Sequence, residues 1–140
     1  MSADTPDRFE SVLVALHPET SGRPLVDAAH RLLGGRGTLH LLSVLRVGEE
    51  ETGGIDIARA EQALEQVATG ARRDDVVVRW GVASTMGSTG EEIVDAARRL
   101  GVTAVVIGGS NRTRVGKFLM GSDAQAVLLT SPVPVLSVPR

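Results

Sequence analysis

The chain is organised around residues 104–122, AVVIGGSNRTRVGKFLMGS. A short apolar run, Ala104 to Ile107, passes abruptly into Gly108-Gly109-Ser110-Asn111, and a Gly-Ser pair, Gly121-Ser122, follows a basic segment. This pattern is typical of a buried parallel strand that ends at an anion-binding loop. Glycine lets a ligand approach the backbone closely, and a helix start supplies peptide N–H donors. We therefore expect the rest of the chain to position this loop.

Composition limits the classes of protein to which the chain can belong. It has 140 residues, a net charge of −2 and no cysteine, which suits a single domain and excludes disulfides, thiolate metal sites and cysteine nucleophiles. Charges of both signs are mixed, and the aromatic residues are one tryptophan and two phenylalanines, so we expect no nucleic-acid partner.

The N-terminal region and the apolar runs bear on location. Residues 1–8 lack the features of a secretory signal, and no apolar run approaches the roughly 20 residues of a membrane span. We expect a flexible tail over residues 1–9, one α/β domain over residues 10–140, a cytoplasmic location and no membrane partner.

Five short apolar runs predict five β-strands. They cover residues 11–16, 38–45, 76–80, 104–107 and 133–138. Proline cannot donate a hydrogen bond to a neighbouring strand, so Pro134 predicts that the last strand lies at an edge of the sheet.

Four amphipathic segments alternate with these strands and predict four helices. Gly34, Gly70 and Gly101 follow or close the first three segments, as helix-ending glycines do. Ser88 and Thr89 each stand three residues before a glutamate, and Ser122 stands three residues before a glutamine. This pattern predicts that Ser88 or Thr89 caps the start of the third helix and that Ser122 caps the start of the fourth. The side chains predicted to face inward are Leu25, Ala28, Ala29, Leu32 and Leu33; Ile57, Ala60, Leu64 and Val67; Ile93, Val94, Ala97 and Leu100; and Ala124, Val127 and Leu128.

Strict alternation of strand and helix predicts an α/β fold, namely a single doubly wound, five-stranded, mainly parallel sheet with helices on both faces, Rossmann-like in architecture. Ligands of such sheets bind beyond the carboxyl ends of the strands, where the strand order reverses. The loops after the first and fourth strands, at His17 and Gly108, are therefore expected to be neighbours.

Two other glycine-bearing stretches are interpreted as structural. Gly35-Arg36-Gly37 precedes a strand instead of following one, so it is predicted to be a turn. Gly87-Ser88-Thr89-Gly90 is predicted to be a capped helix start, with a second ligand loop as the alternative. The acidic segment 48–54 is predicted to be a loop, and so are residues 81–90.

The order of elements and the spacing Gly108-x2-Asn111-x9-Gly121-Ser122 resemble the universal stress protein family, the UspA-like proteins, over residues 10–139. The nucleotide-binding branch of that family carries Gly-x2-Gly-x9-Gly followed by Ser or Thr at these places. This chain departs at two positions. Asn111 replaces the second loop glycine, and His17 stands where nucleotide binders usually have an aspartate. Asparagine tolerates a left-handed turn, but its side chain occupies space that a phosphate would approach.

The resemblance implies a stress-response or regulatory domain that binds ATP or another adenine nucleotide, with Mg²⁺ as a weaker expectation. The residues it assigns to the nucleotide are Gly108, Gly109, Asn111, Gly121, Ser122, Val44, His17 and Arg112, with Val44 at the adenine and Arg114 or Lys117 as further positive charges. Each has a plain alternative: the glycines as turns, Ser122 as a cap, Val44 as core and the cations as a solvated surface.

An alternative function is a homodimeric interaction module with a degenerate pocket that binds no nucleotide. The edge strand Val133 to Val138 would pair with a second copy, because an unpaired edge exposes backbone groups and apolar side chains. We expect no enzymatic activity beyond slow, incidental ATP hydrolysis, because the sequence pattern does not identify a nucleophile, a base and an orienting group that act together. The three histidines show no metal-ligand spacing, and His30 and His40 are predicted to be structural.

Overall fold

A five-stranded parallel sheet with two helices on each face forms the framework of the protein. The computed structural model describes residues 9–17, 22–46, 54–108, 110–112 and 118–139. The elements in chain order are β1 (Ser11–Leu16), α1 (Arg23–Leu33), β2 (Gly37–Arg46), α2 (Gly54–Gly70), β3 (Val76–Thr85), α3 (Thr89–Leu100), β4 (Ala104–Gly108), β5 (Ser110–Arg112), β6 (Phe118–Met120), α4 (Ser122–Thr130) and β7 (Val135–Val138).

The strand order is β3-β2-β1-β4-β7, and every pair of neighbouring strands is parallel. This order confirms the predicted doubly wound α/β fold. The chain first moves from β1 to β3 in one direction and then crosses to the other side of β1, so the order reverses between β1 and β4. The last strand, β7, lies at the sheet edge as Pro134 predicted.

The central strands are apolar on both sides because both faces of the sheet are covered. On the face packed against α1 and α2, which we call the first face, β1 contributes Val12 and Val14. On the face packed against α3 and α4, the second face, β1 contributes Leu13. All three side chains are fully buried, so β1 carries core side chains on both of its faces.

The helix ends follow the predicted glycines and caps in most cases. Gly34 and Gly101 end α1 and α3 in the left-handed conformation, with φ of 68° and 65°. The Ser88 hydroxyl accepts a hydrogen bond from the N–H of Glu91 at 3.3 Å and so caps α3. The predicted cap at Ser122 was wrong. Ser122 already lies in α4, and the carbonyl of Gly121 accepts the first helical bond instead.

Three loop or strand boundaries also differ from the predictions. β3 continues to Thr85 instead of ending at residue 80, because it pairs in register with the whole of β2, from Gly37 opposite Val76 to Arg46 opposite Thr85. The expected loop after β4 contains a short antiparallel pair, β5 with β6. The last strand begins at Val135, and the carbonyl of Pro134 accepts a bond from Val105. Residues 48–53 of the predicted acidic loop and residues 1–8 of the predicted tail lie outside the described residues.

Fewer helix side chains are buried than the apolar sequence patterns predicted. Ile57, Leu100 and Leu128 were predicted to face inward but are 39%, 42% and 39% exposed. Ile57 lies in the first turn of α2 and Leu100 is the last residue of α3, so both lie at helix ends. In the nine-residue α4 the buried side chains are Ala124 and Val127. Within the described ranges, no helix has the length and hydropathy that a membrane span requires.

Candidate functional site

A cavity of about 320 Å³ opens on the second face, at the carboxyl ends of the strands. It lies at the reversal of strand order between β1 and β4, where ligands of this architecture bind. The residues that line it are Ala15, Leu16, His17, Leu42, Val44, Thr89, Ile93, Ile107, Gly108, Gly121, Ser122, Asp123, Ala124 and Val127.

The ends of β1 and β4 form the base of the cavity. Ala15 lies near the end of β1, His17 directly follows that strand, and Gly108 ends β4. His17 and Gly108 are thus brought to one cavity, as the topology predicted. A methyl group at Ala15 fills little of the space between the sheet and the helices of the second face, whereas a Cβ at Gly108 would face Leu25 of α1 on the first face. The small side chain of Ala15 therefore helps to keep the cavity open, and Gly108 contributes backbone to it.

One side of the cavity is apolar. Leu42 and Val44 come from β2, Ile93 from α3 and Ile107 from β4. Ile93 and Ile107 are 6% and 4% exposed, so the wall is continuous with the core of the second face. Flat apolar groups are bound by walls of this kind, while a few polar groups fix their orientation.

The opposite end is polar because two helices begin there. The first bond inside α4 runs from the N–H of Gln125 to the carbonyl of Gly121 at 3.0 Å. The N–H groups of residues 122–124 therefore have no acceptor within the helix, and all three residues line the cavity. The start of α3 contributes Thr89. Helix starts carry a partial positive charge, so this end suits an anion.

The two helix starts touch at Gly90. A Cβ atom at this position would lie 2.8 Å from the Cβ of Ala126 and 2.8 Å from the carbonyl oxygen of Asp123, so only glycine permits the contact. The N–H of Gly90 donates a hydrogen bond to Oδ1 of Asp123 at 3.3 Å. The start of α3 is therefore linked to the first turn of α4.

The predicted site residues fall into three groups. His17, Val44, Gly108, Gly121 and Ser122 all line the cavity. Asn111 and Arg112 belong to β5, where Asn111 pairs with Leu119 in a strand instead of occupying the expected turn. Gly109, Arg114 and Lys117 lie outside the described residues. Because Ser122 lies inside α4 and Gly121 is the N-cap residue, the alternative interpretation of Ser122 as the helix cap no longer applies.

Most of the other lining residues were not predicted as parts of a site, and three of them matter for its chemistry. Thr89 was assigned to a helix start, with a ligand loop only as the alternative, Ile93 was assigned to the core, and Asp123 was not considered. The start of a helix was recognised at residues 87–90, but sequence alone did not reveal that α3 and α4 begin side by side. A carboxylate directly after the Gly121-Ser122 pair was the available signal for Asp123.

The other two histidines lie away from the cavity lining. Nε2 of His30 donates to the carbonyl of Ala71 at 2.8 Å, which ties α1 to the end of α2. His40 on β2 lies beside Arg79 on β3; burial, with a smaller contribution from the Arg79 charge, lowers the pKa of His40 below its usual 6.5. Among the described residues, no three histidine, aspartate or glutamate side chains come together in a group that could hold a metal ion.

Comparison with known proteins places this geometry in context. The model of the universal stress protein family matches residues 8–139. A universal stress protein from Archaeoglobus fulgidus has a similar structure, with a TM-score of 0.76 and 24% identity over 91% of this chain and 97% of that chain. The structure of the universal stress protein from the same organism in complex with dAMP matches with a TM-score of 0.70 and 23% identity, over 91% and 96% of the two chains.

A third similar structure is a universal stress protein in complex with cAMP, with a TM-score of 0.60 and 20% identity over 95% of this chain and 98% of that chain. No curated protein sequence matches the chain. At these identities the structural matches establish the fold.

Proposed function

The chain belongs to the universal stress protein family, and we propose on this premise that it is a cytoplasmic stress-response or regulatory domain that binds an adenine nucleotide in the second-face cavity. The observation that carries the proposal is the division of that cavity into an apolar side and a polar end made of two helix starts. An adenine nucleotide has the same division, with an apolar base at one end and phosphate at the other.

The lining residues suit this ligand. The apolar side chains of Val44, Leu42 and Ile93 would contact the adenine ring. The backbone at Gly108, Gly121 and Ser122 would hold the ribose and phosphate. The volume of about 320 Å³ lies at the lower end of the range for small-molecule pockets. Two of the similar structures hold adenine nucleotides, dAMP and cAMP, which supports the same class of ligand here.

Isothermal titration with ATP, ADP and AMP, with and without Mg²⁺, tests the proposal. We expect saturable heat with at least one of these nucleotides. The variant Ala15→Leu should abolish that heat, because the added carbons enter the cavity from β1. The thermal unfolding transition of the variant is the control, since a filled cavity should not lower it. Absence of heat and of any thermal shift at millimolar nucleotide would contradict the proposal.

Catalysis is not part of the proposal. The side chains lining the cavity include one histidine and one carboxylate, and Oδ1 of that carboxylate, Asp123, accepts the backbone N–H of Gly90 at 3.3 Å. We therefore propose that hydrolysis of ATP is slow and incidental. Phosphate release at the ~10 s⁻¹ typical of enzymes would contradict this part of the account.

The second candidate function, a homodimeric interaction module, is favoured by the sheet edge. Among the strands that the structure describes, β7 has a neighbour, β4, on one side only, and Leu136 on β7 is 39% exposed. Leu129 on the adjoining α4 is 83% exposed. We propose that residues 133–138 pair with the same segment of a second copy. Light scattering at ~100 µM, where even a micromolar dimer persists, should give the dimer mass; a monomer mass would refute pairing.

A further inference from the structure

Asp123 places a carboxylate at the polar end of the cavity. It is the second residue of α4, it lines the cavity beside Gly121 and Ser122, and its Oδ1 accepts the N–H of Gly90 from α3 at 3.3 Å. The side chain therefore lies among the backbone donors that would otherwise be offered to a phosphate group.

This carboxylate counteracts the positive ends of both helices. A negative charge in the first turn of α4 compensates the dipole of that helix, and the bond to Gly90 brings the same charge to the start of α3. The cavity thus already contains one anionic group at the place where the proposed ligand carries its negative charge. Each further charge on the ligand is repelled by it.

We infer that the carboxylate of Asp123 lowers the affinity of the cavity for ligands with many negative charges. The cavity then favours adenine nucleotides with a single phosphate over ATP. This inference rests on the proposed function and deepens it by naming the ligand class. The repulsion grows with the number of ligand charges, from none on adenosine to about two on AMP and about four on ATP. The basic side chains at positions 112, 114 and 117 do not obscure the effect, because they act alike on the wild type and on an Asp123 variant.

The variant Asp123→Asn isolates the charge. Asparagine retains an oxygen that can accept the bond from Gly90, so the contact between α3 and α4 is kept while the charge is removed. Titrations with adenosine, AMP and ATP without Mg²⁺ at about pH 8 measure the change. At a separation of about 7 Å in water, with screening by salt, we expect the affinity to rise roughly 3-fold for AMP and roughly 6-fold for ATP, and not to change for adenosine.

Asp95→Asn is the matched control. It removes one negative charge from α3 at a side chain that is 65% exposed, pairs with Arg98 at 3.9 Å and does not line the cavity. The net charge of the protein changes by the same amount in both variants. We expect Asp95→Asn to leave all three affinities unchanged, which distinguishes a local effect of Asp123 from a general one.

The outcomes separate this inference from the function on which it rests. A gain that increases from adenosine to ATP in Asp123→Asn alone supports it. If the protein binds nucleotide but Asp123→Asn changes the affinity equally for all three ligands, or does not change it, the inference is overturned and the proposed function stands. The ATP titrations are repeated with Mg²⁺, and a loss of affinity in Asp123→Asn that is confined to this repeat also overturns the inference, because Asp123 would then be a cation ligand. Absence of binding by both proteins contradicts the proposed function and the inference together.

Discussion

The two faces of the sheet use the same strands but differ in how completely they are filled. On the first face, α1 and α2 cover the strands and leave a gap of about 30 Å³ near their carboxyl ends. On the second face, α3 and α4 leave a cavity of about 320 Å³ at the same end. The helices therefore cover the first face almost completely, whereas they leave the second face open at the carboxyl ends of the strands.

The difference has an identifiable origin. On the first face the gap is bordered by the middle of α2, with Ala60, Leu64 and Val67 reaching the strand ends. On the second face α3 and α4 both begin at the strand ends, so backbone donors and small side chains such as Ala15 border the space. At the carboxyl ends of the strands, the second face therefore has less apolar packing than the first face. The backbone groups at these positions can instead bind the polar part of a ligand.

The largest expected effect compares two neighbouring leucines on β2 that point to opposite faces. Leu41 is 2% exposed in the core of the first face, and Leu42 is 8% exposed at the cavity wall of the second. We expect Leu41→Ala to lower the free energy of unfolding by about 4 kcal/mol and Leu42→Ala by about 2 kcal/mol, because Leu42 has fewer packed neighbours to lose. Urea unfolding measures both, and equal losses would show that the faces are equally packed.

Gly90 tests whether the close contact of the two helix starts holds the second face together. Its replacement by alanine forces a Cβ against Ala126 and the carbonyl of Asp123, and we expect it to cost about 2 kcal/mol. Gly70→Ala is the control, because no atom lies within 4 Å of the new Cβ at the end of α2. The control should leave the free energy of unfolding unchanged or raise it by about 0.5 kcal/mol. A neutral Gly90→Ala would mean that α3 and α4 move apart without cost.

Ser43 tests the closure of the first face. Ser43 is 2% exposed and borders the gap of about 30 Å³, and its buried hydroxyl has no hydrogen-bond partner among the described residues. Because an unsatisfied buried hydroxyl is unfavourable, Ser43→Ala should raise the free energy of unfolding by about 0.5 kcal/mol. Ser84→Ala, at an exposed position of β3, should leave it unchanged. A loss of stability in Ser43→Ala would instead reveal a water in the gap that the hydroxyl binds.

The smallest expected effect is the pH dependence of stability that arises from His40, which lies on β2 away from the cavity lining. The folded protein disfavours the charged form of His40, since burial and then Arg79 lower the pKa of His40 below 6.5. The unfolded chain therefore binds the proton more readily, and stability should fall as the pH drops below about 6.5. Unfolding of the wild type and of His40→Gln between pH 8 and 5, about three units around the usual pKa, should show a shallower fall in the variant. An equal fall in stability with pH in both proteins would show that His40 is not the source of the pH dependence.

Much of the fold could be predicted from local patterns, because strand runs, helical spacing and end glycines each act within a few residues. Gly34, Gly101 and Ser88 occupy the caps that their residue types favour. The extension of β3 to Thr85 could not be predicted, since it depends on pairing with β2 about 40 residues earlier in the chain. The exposure of Leu128 likewise depends on where α4 lies against α3 and β7, which no local pattern encodes.

The candidate site was only partly predictable for the same reason. The glycine spacing identified Gly108, Gly121 and Ser122 because a strand end and a helix start close together in sequence are recognisable from residue type. Thr89 and Asp123 belong to helices that begin 33 residues apart and meet only through tertiary packing. Residues brought together in this way require the structure.

The most direct test of the central claim is a map of backbone amide chemical shifts during titration with AMP. The account predicts that the amides around the second-face cavity shift, with Val44, Gly108 and Ser122 as the reporters from three different elements. Ala29 and Ala68, in the core of the first face, should not move. Shifts centred on the first face, or no shifts at millimolar AMP, would contradict the claim that the open face of the sheet is the nucleotide site.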